Sequence, residues 1–220
     1  MSYIGKQPAA VALTASDITD GIISTAKVAD AGITNAKLAA DIISGDTALG
    51  AAPADTDELL VSDAGVLKKM DYSHIKAVNT PAFFASISES QTVGTTSATK
   101  LTINAEEFDS DSTYDNSSNY RFTPGVAGKY FIFANGYINS LTNAKTVAIY
   151  IYKNGASIAT ARNVAGKTGA ILTAYTSVID ISDADDYYEV YLYHDEGGDL
   201  TVPGSGEARS YFGAYKIIGA

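Results

Sequence analysis

The sequence predicts an all-β chain: an antiparallel sandwich or barrel of short strands, with a jelly roll as the leading architecture, preceded by an extended, repeat-containing segment. Three observations predict it. From Pro81 onward, short apolar or alternating runs are separated by Gly, Asn, Asp and Ser, the punctuation of strands and tight turns. Nothing in that region sustains a helical period. Of the 15 Tyr and 7 Phe, only Tyr3 and Tyr72 fall in the first 80 residues. The side chains that build cores and interfaces therefore belong to the last two thirds of the chain.

Residues 8–50 are rich in Ala, Thr, Ser, Asp and Ile and carry a ten-residue repeat. Ile23-Ser24-Thr25-Ala26-Lys27-Val28-Ala29-Asp30 aligns with Ile33-Thr34-Asn35-Ala36-Lys37-Leu38-Ala39-Ala40. A unit this short cannot bury its aliphatic residues alone. Two states fit. One is an intertwined stalk over 13–50 in which copies of the chain cover one another, favoured because the aliphatic columns recur in register. The other is a flexible low-complexity linker.

Pro53 breaks this texture. The runs Glu58–Ser62 and Val66–Met70 flank Asp63-Ala64-Gly65 and predict a β-hairpin. A helical turn over Asp71–Lys76 follows, with Asp71 as its N-cap. Together, residues 51–80 form a neck. Its hairpin is marginal in isolation, so it is expected to pack against equivalent hairpins or a docking partner. His74 is a plain polar or interface residue.

Beyond it, candidate strands are Ala82–Ile87, Thr99–Ile103, Tyr120–Phe122, Gly128–Ile138, Thr146–Lys153, Ser157–Arg162, Ala170–Ile181, Tyr187–Tyr193 and Ala208–Ile218. Lys153-Asn154-Gly155-Ala156 supplies an Asn-Gly hairpin turn. Val202-Pro203-Gly204-Ser205-Gly206 reads as a loop.

Composition narrows the chemistry. There are 15 basic and 25 acidic residues, a net charge of −10, which argues against a generic electrostatic grip on nucleic acid. With no Cys, thiolate nucleophiles and Cys-based metal sites are excluded. His74 and His194 are the two histidines, too few for a His-rich metal centre. No apolar run approaches the roughly 20 residues that span a bilayer. No cofactor and no enzymatic activity are expected.

Asp109, Asp111 and Asp115 offer three carboxylates in a Ser-rich loop and are weak calcium candidates, since calcium takes six to eight oxygens. The stretch lacks the Gly and distal Glu of the helix-loop-helix calcium pattern, so a solvated loop is the favoured reading. Asp183, Asp185 and Asp186, with Asp195, Glu196 and Asp199, form two further acidic clusters. Turn chemistry accounts for these, and a paired-carboxylate hydrolase is the weaker alternative. Tyr114, Tyr175 and Tyr211 are candidates for contacts with an outside ligand.

Residues 81–220 resemble the complement-1q/tumour-necrosis-factor jelly-roll family. The resemblance rests on Ala82-Phe83-Phe84-Ala85, on Asn104–Asp109 with Tyr114-Asp115, and on Tyr120-Arg121-Phe122-Thr123-Pro124-Gly125-Val126-Ala127-Gly128-Lys129-Tyr130-Phe131. It continues through Ile149–Gly155, Asp185–Val190 and Ser210–Ile217. It implies a compact homotrimer with an aromatic inter-subunit core, and binding rather than catalysis. The packing residues it implies are Phe83, Phe122, Tyr130, Phe131, Phe133, Tyr150, Tyr152, Tyr191, Phe212 and Tyr215.

The N-terminal third resembles fibre proteins of tailed bacteriophages. The signals are Ser2-Tyr3-Ile4-Gly5-Lys6-Gln7-Pro8, the Ile-Thr-x-Ala-Lys-Leu-Ala units, and Asp57–Lys69. This implies a virion protein anchored by residues 1–12, with Tyr3, Ile4 and Pro8 docking onto another virion structural protein. The far tip would meet a host-surface glycan or protein. The alternative is a trimeric capsid decoration or head-fibre protein that braces the shell.

Overall fold

Asp63-Ala64-Gly65-Val66 closes the hairpin that the sequence predicts, because Ala64 (φ 49°) and Gly65 (φ 85°) both take the left-handed conformation that a tight hairpin turn needs. Strand β1 (Glu58–Asp63) pairs antiparallel with β2 (Val66–Asp71) in unbroken register. The helical turn expected over Asp71–Lys76 is one 3-10 turn, Tyr72–His74, and Asp71 makes no side-chain cap. The cap is redundant: the Tyr72 N–H donates to the Asp57 carbonyl at 2.7 Å and the Ser73 N–H to that of Asp55 at 3.2 Å. Leu60 and Leu67 remain 72% and 66% exposed, so this hairpin has no core of its own.

The computed structural model describes residues 14, 16, 23, 28, 47–76, 78–204 and 210–218. The anchor segment 1–12, with Tyr3, Ile4 and Pro8, and nearly all of the 13–50 repeats lie outside these described residues. The chain divides between Ile75 and Lys76 into two units.

The second unit contains β3 (Ala82–Ser86), β4 (Gln91–Val93), β5 (Thr99–Lys100), β6 (Ala105–Asp109), β7 (Tyr114–Asp115), β8 (Arg121–Phe122) and β9 (Gly128–Leu141). After these come β10 (Thr146–Lys153), β11 (Ala156–Val164), β12 (Ala170–Ser182), β13 (Tyr188–His194), β14 (Leu200–Val202) and β15 (Tyr211–Lys216). A front sheet runs in the order β12-β9-β15-β3-β6. A back sheet runs β11-β10-β13-β8-β7, with β5 also paired to β13. β14 and β4 form a separate short pair.

Among the described residues every pairing is antiparallel, and the chain changes sheet repeatedly: β9 to β10, β11 to β12, β12 to β13. As a result β9 pairs with β12 while β10 pairs with β13, and β15 returns beside β3. Nested pairings of this kind make a jelly-roll sandwich.

Alternation explains why these strands form. In β10, Val147, Ile149 and Ile151 are buried while Tyr150 and Tyr152 are half-buried on the opposite face. Asn154 (φ 50°) and Gly155 (φ 81°) supply the predicted tight turn into β11.

Four strands escape the sequence reading: β4, β6, β7 and β14. All are short, and β6 is an edge strand with Glu106, Glu107 and Phe108 exposed, so its composition is that of a loop. Tyr120 is not in a strand; its φ of 49° makes it the turn residue before β8. Val202 is likewise no loop residue, being fully buried and paired with Gln91.

Candidate binding surfaces

The predicted packing residues fall into three places. Phe83, Phe122, Tyr130 and Phe212 point between the sheets and are at most 1% exposed. Phe83 stacks on Tyr114 with ring centroids 4.5 Å apart and on Phe122 at 4.8 Å, and meets Phe212 edge-on at 4.9 Å. Tyr114, a candidate for outside contact, belongs to this core: it is 6% exposed and its hydroxyl donates to the Ile103 carbonyl at 2.8 Å. Burial is the main reason its hydroxyl pKa is raised.

Phe131, Phe133 and Tyr215 lie instead on the outer face of the front sheet. Register places Phe131 between Tyr215 and Ile179, and Phe133 between Gly213 and Ser177. Gly213 matters here because a Cβ would come within 2.4 Å of the Phe133 ring, so the bare backbone gives the ring its seat. Phe84, beside Gly213, pairs with Phe108, and Tyr211 lies beside Asn135. Ile171, Ile179 and Ile181 extend the apolar surface along β12, the last two 63% and 70% exposed. Tyr175 and Tyr211, the other two candidates for outside contact, are also on this face.

Sequence reading missed Phe84, Phe108 and the β12 isoleucines. The signal was present: β12 is apolar at both parities, the mark of a strand meant to be covered on both sides.

Tyr150, Tyr152 and Tyr191 occupy the outer face of the back sheet. Tyr152 and Tyr191 lie 4.3 Å apart by ring centroids and Tyr150 6.1 Å from Tyr152. Beside them Glu189, only 7% exposed, accepts from Lys100 Nζ at 2.8 Å and from the Tyr191 hydroxyl at 3.1 Å. Burial first, then the Glu189 charge, push the Tyr191 hydroxyl up to about 12. Arg162 Nη2 donates to the Tyr150 hydroxyl at 3.1 Å, and the Arg121 guanidinium lies 4.8 Å over the Tyr187 ring.

The acidic clusters serve the fold. Lys153 Nζ is shared by Asp180 at 2.7 Å and Asp186 at 2.9 Å. Burial opposes its charge, but the hydrogen bonds it donates to both carboxylates outweigh that and raise its pKa. Asp195 accepts the Thr146 N–H, and Glu196 accepts the N–H and hydroxyl of Thr142. His194 is fully buried: its Nδ1 accepts the Glu196 N–H at 3.4 Å, so Nε2 carries the proton and donates to the Val93 carbonyl at 2.9 Å.

The calcium candidates are not assembled as a site. Asp109 accepts from the Asp111 and Tyr114 N–H groups and the Thr113 hydroxyl, and Asp111 accepts from the Ser110 hydroxyl. Asp115 accepts the backbone N–H groups of Ser117, Ser118 and Asn119. Among the described residues no three His, Asp or Glu are grouped to hold a metal ion. Each carboxylate is committed to its own turn instead.

The Ser118 and Ser117 amides hold the Asp115 carboxyl well below the usual carboxylate range. A depressed folded pKa contributes stability above the unfolded value, lost as pH falls toward the folded one. Asp115→Asn keeps an acceptor but removes this charge. Its urea midpoint is therefore expected to fall less than the wild type's between about pH 5 and pH 2. Parallel losses in the two proteins would remove Asp115 from the acid response.

No family model matches the chain, and no curated protein matches it. Solved structures do. The chain is similar to the Eiger TNF of S. frugiperda, at 12% identity and a TM-score of 0.48, over 65% of this chain and 96% of that one. It is similar to the globular domain of zebrafish complement 1qA, at 13% identity and a TM-score of 0.44, over 63% and 98%. It is also similar to murine APRIL, at 8% identity and a TM-score of 0.45, over 62% and 99%.

Proposed function

We propose that the chain is a structural virion protein: a homotrimeric bacteriophage fibre or appendage whose jelly-roll tip binds a host-surface receptor by multivalent adhesion. The observation that carries the assembly is the outer face of the front sheet. Ile179, Ile181 and Phe108 are 63%, 70% and 53% exposed there, continuous with Phe131, Phe133, Tyr215 and Phe84. A contiguous apolar face of this kind marks an interaction surface. Neighbouring copies would cover it.

The three-fold state follows from the sequence resemblance of residues 81–220, and the virion setting from that of the N-terminal third. Binding rather than catalysis is supported by the acidic side chains, whose best-placed members are tied to Lys153, Thr142 and Thr146. Three tips on one stalk bind weakly one by one and tightly together, through effective concentration.

Sedimentation of the full chain tests the assembly. The wild type is expected to run as a trimer, and the double variant Phe131→Ser/Ile179→Asp to dissociate at higher protein concentration than the wild type, with unchanged β-sheet circular dichroism. A monomeric wild type, or a variant that assembles normally, would overturn it. Antibody labelling of particles tests the location: label confined to an appendage is expected. Label over the whole shell would replace the fibre by a capsid decoration.

A further inference from the structure

The back sheet turns a different surface outward, one that packs no hydrophobic core. Register puts Tyr150 beside Tyr191, and Tyr152 beside Glu189, which in turn lies beside Arg121. The three tyrosines are half-buried, so their positions are set, and two of their hydroxyls are engaged by Arg162 and Glu189. Tyr and Arg are enriched among the residues that anchor contacts, Tyr because it presents large area with little entropy to lose and Arg because its planar fork hydrogen-bonds acid groups in pairs.

Charge on this face departs from the chain's average. The buried carboxylate of this face, Glu189, is met by Lys100 and Tyr191, and Asp115, held ionised by the amides of its own loop, lies in register with Arg121. Lys100, Arg121 and Arg162 stand against these two carboxylates, so the face carries one net positive charge, and Arg162, opposite Ala148, has no carboxylate beside it in register. At physiological ionic strength charges beyond about 8 Å are screened, so this local excess outweighs the distant acidic surface. Arg121 and Arg162 flank the tyrosines on β8 and β11, three strand spacings apart across the sheet and four residues apart along it, roughly 20 Å in all. That span suits a polymer rather than a single sugar. Its sparse cations do not suit a nucleic acid, which carries a phosphate at every nucleotide.

We propose that the outer face of the back sheet binds an anionic polysaccharide, with sugar rings on Tyr150, Tyr152 and Tyr191 and acid groups met by Arg121 and Arg162. This names the ligand class for the adhesion reading and rests on it. It needs no contribution from the front sheet.

Titration of the full chain with polygalacturonate, neutral dextran and a single-stranded oligonucleotide tests it. Polygalacturonate is expected to bind, more weakly as salt rises, and dextran and the oligonucleotide are not. Arg162→Gln and Tyr152→Ser are each expected to weaken binding about tenfold. Tyr152→Phe keeps the ring and retains it, and Ile179→Ser on the front sheet leaves it unchanged. Polygalacturonate that fails to bind, dextran or oligonucleotide that binds equally well, or undiminished binding by Arg162→Gln and Tyr152→Ser would overturn the proposal. Trimer formation, read by sedimentation on the same samples, reports separately on the assembly.

Discussion

Phe83→Ala is expected to lower stability by about 3–5 kcal/mol, the usual cost of removing a buried aromatic ring. In a unit of this size that moves the thermal midpoint down by roughly 10 °C. The ring is 1% exposed and has aromatic neighbours on three sides, Tyr114, Phe122 and Phe212, at 4.5, 4.8 and 4.9 Å. Those neighbours come from three other strands spread over both sheets, so they cannot all collapse into the space. Strand β3 is also held on both edges, by β15 and β6, and its backbone cannot move inward to compensate. Urea denaturation of the two proteins measures the difference. A loss below about 1 kcal/mol would mean that the site repacks and that the aromatic stack is not the centre of the core.

Lys100→Met carries the second large effect. Lys100 Nζ donates to Glu189 Oε1 at 2.8 Å and to the Asn119 carbonyl at 2.9 Å. The Glu189 side chain is 9% exposed and that of Lys100 is 32%. The variant leaves a buried carboxylate with the Tyr191 hydroxyl as its remaining partner. Breaking a fully buried pair costs about 3–5 kcal/mol; with one partner a third exposed, about 2–3 kcal/mol is expected. Adding Glu189→Met to make the pair apolar should return most of that loss. Denaturation of the single and double variants measures both. If the single variant is as stable as the wild type, the pair has no structural role.

Much of the second unit was legible because its strands alternate and its turns announce themselves. Thr146–Lys153 was read to the residue, since three buried aliphatics alternate with outward side chains and Asn154-Gly155 ends the run. The invisible strands are those whose pairing depends on distant partners. β7 and β14 are held by β8 and β4, and nothing in Tyr114-Asp115 or Leu200–Val202 announces a neighbour. The ten packing aromatics from Phe83 to Tyr215 all lie in strands as the sequence predicts, yet their division among core, front face and back face is not legible there. Parity within one strand is plain, but which parity faces the other sheet is decided by the crossovers. Tyr114 shows the limit: amphipathic and set in an acidic loop, it is carried into the core by β7's pairing with β8.

The alternation of β10's large side chains has a consequence for how this protein can change over generations. Val147, Ile149 and Ile151 serve the interior, while Tyr150 and Tyr152 touch only the outer surface. Replacing the second set leaves the first undisturbed, because the pleat keeps them a sheet's thickness apart. The front sheet's outward residues form a third, separate set. A lineage is thereby free to rewrite one exterior while keeping the fold, and to do so by single substitutions rather than by coordinated ones.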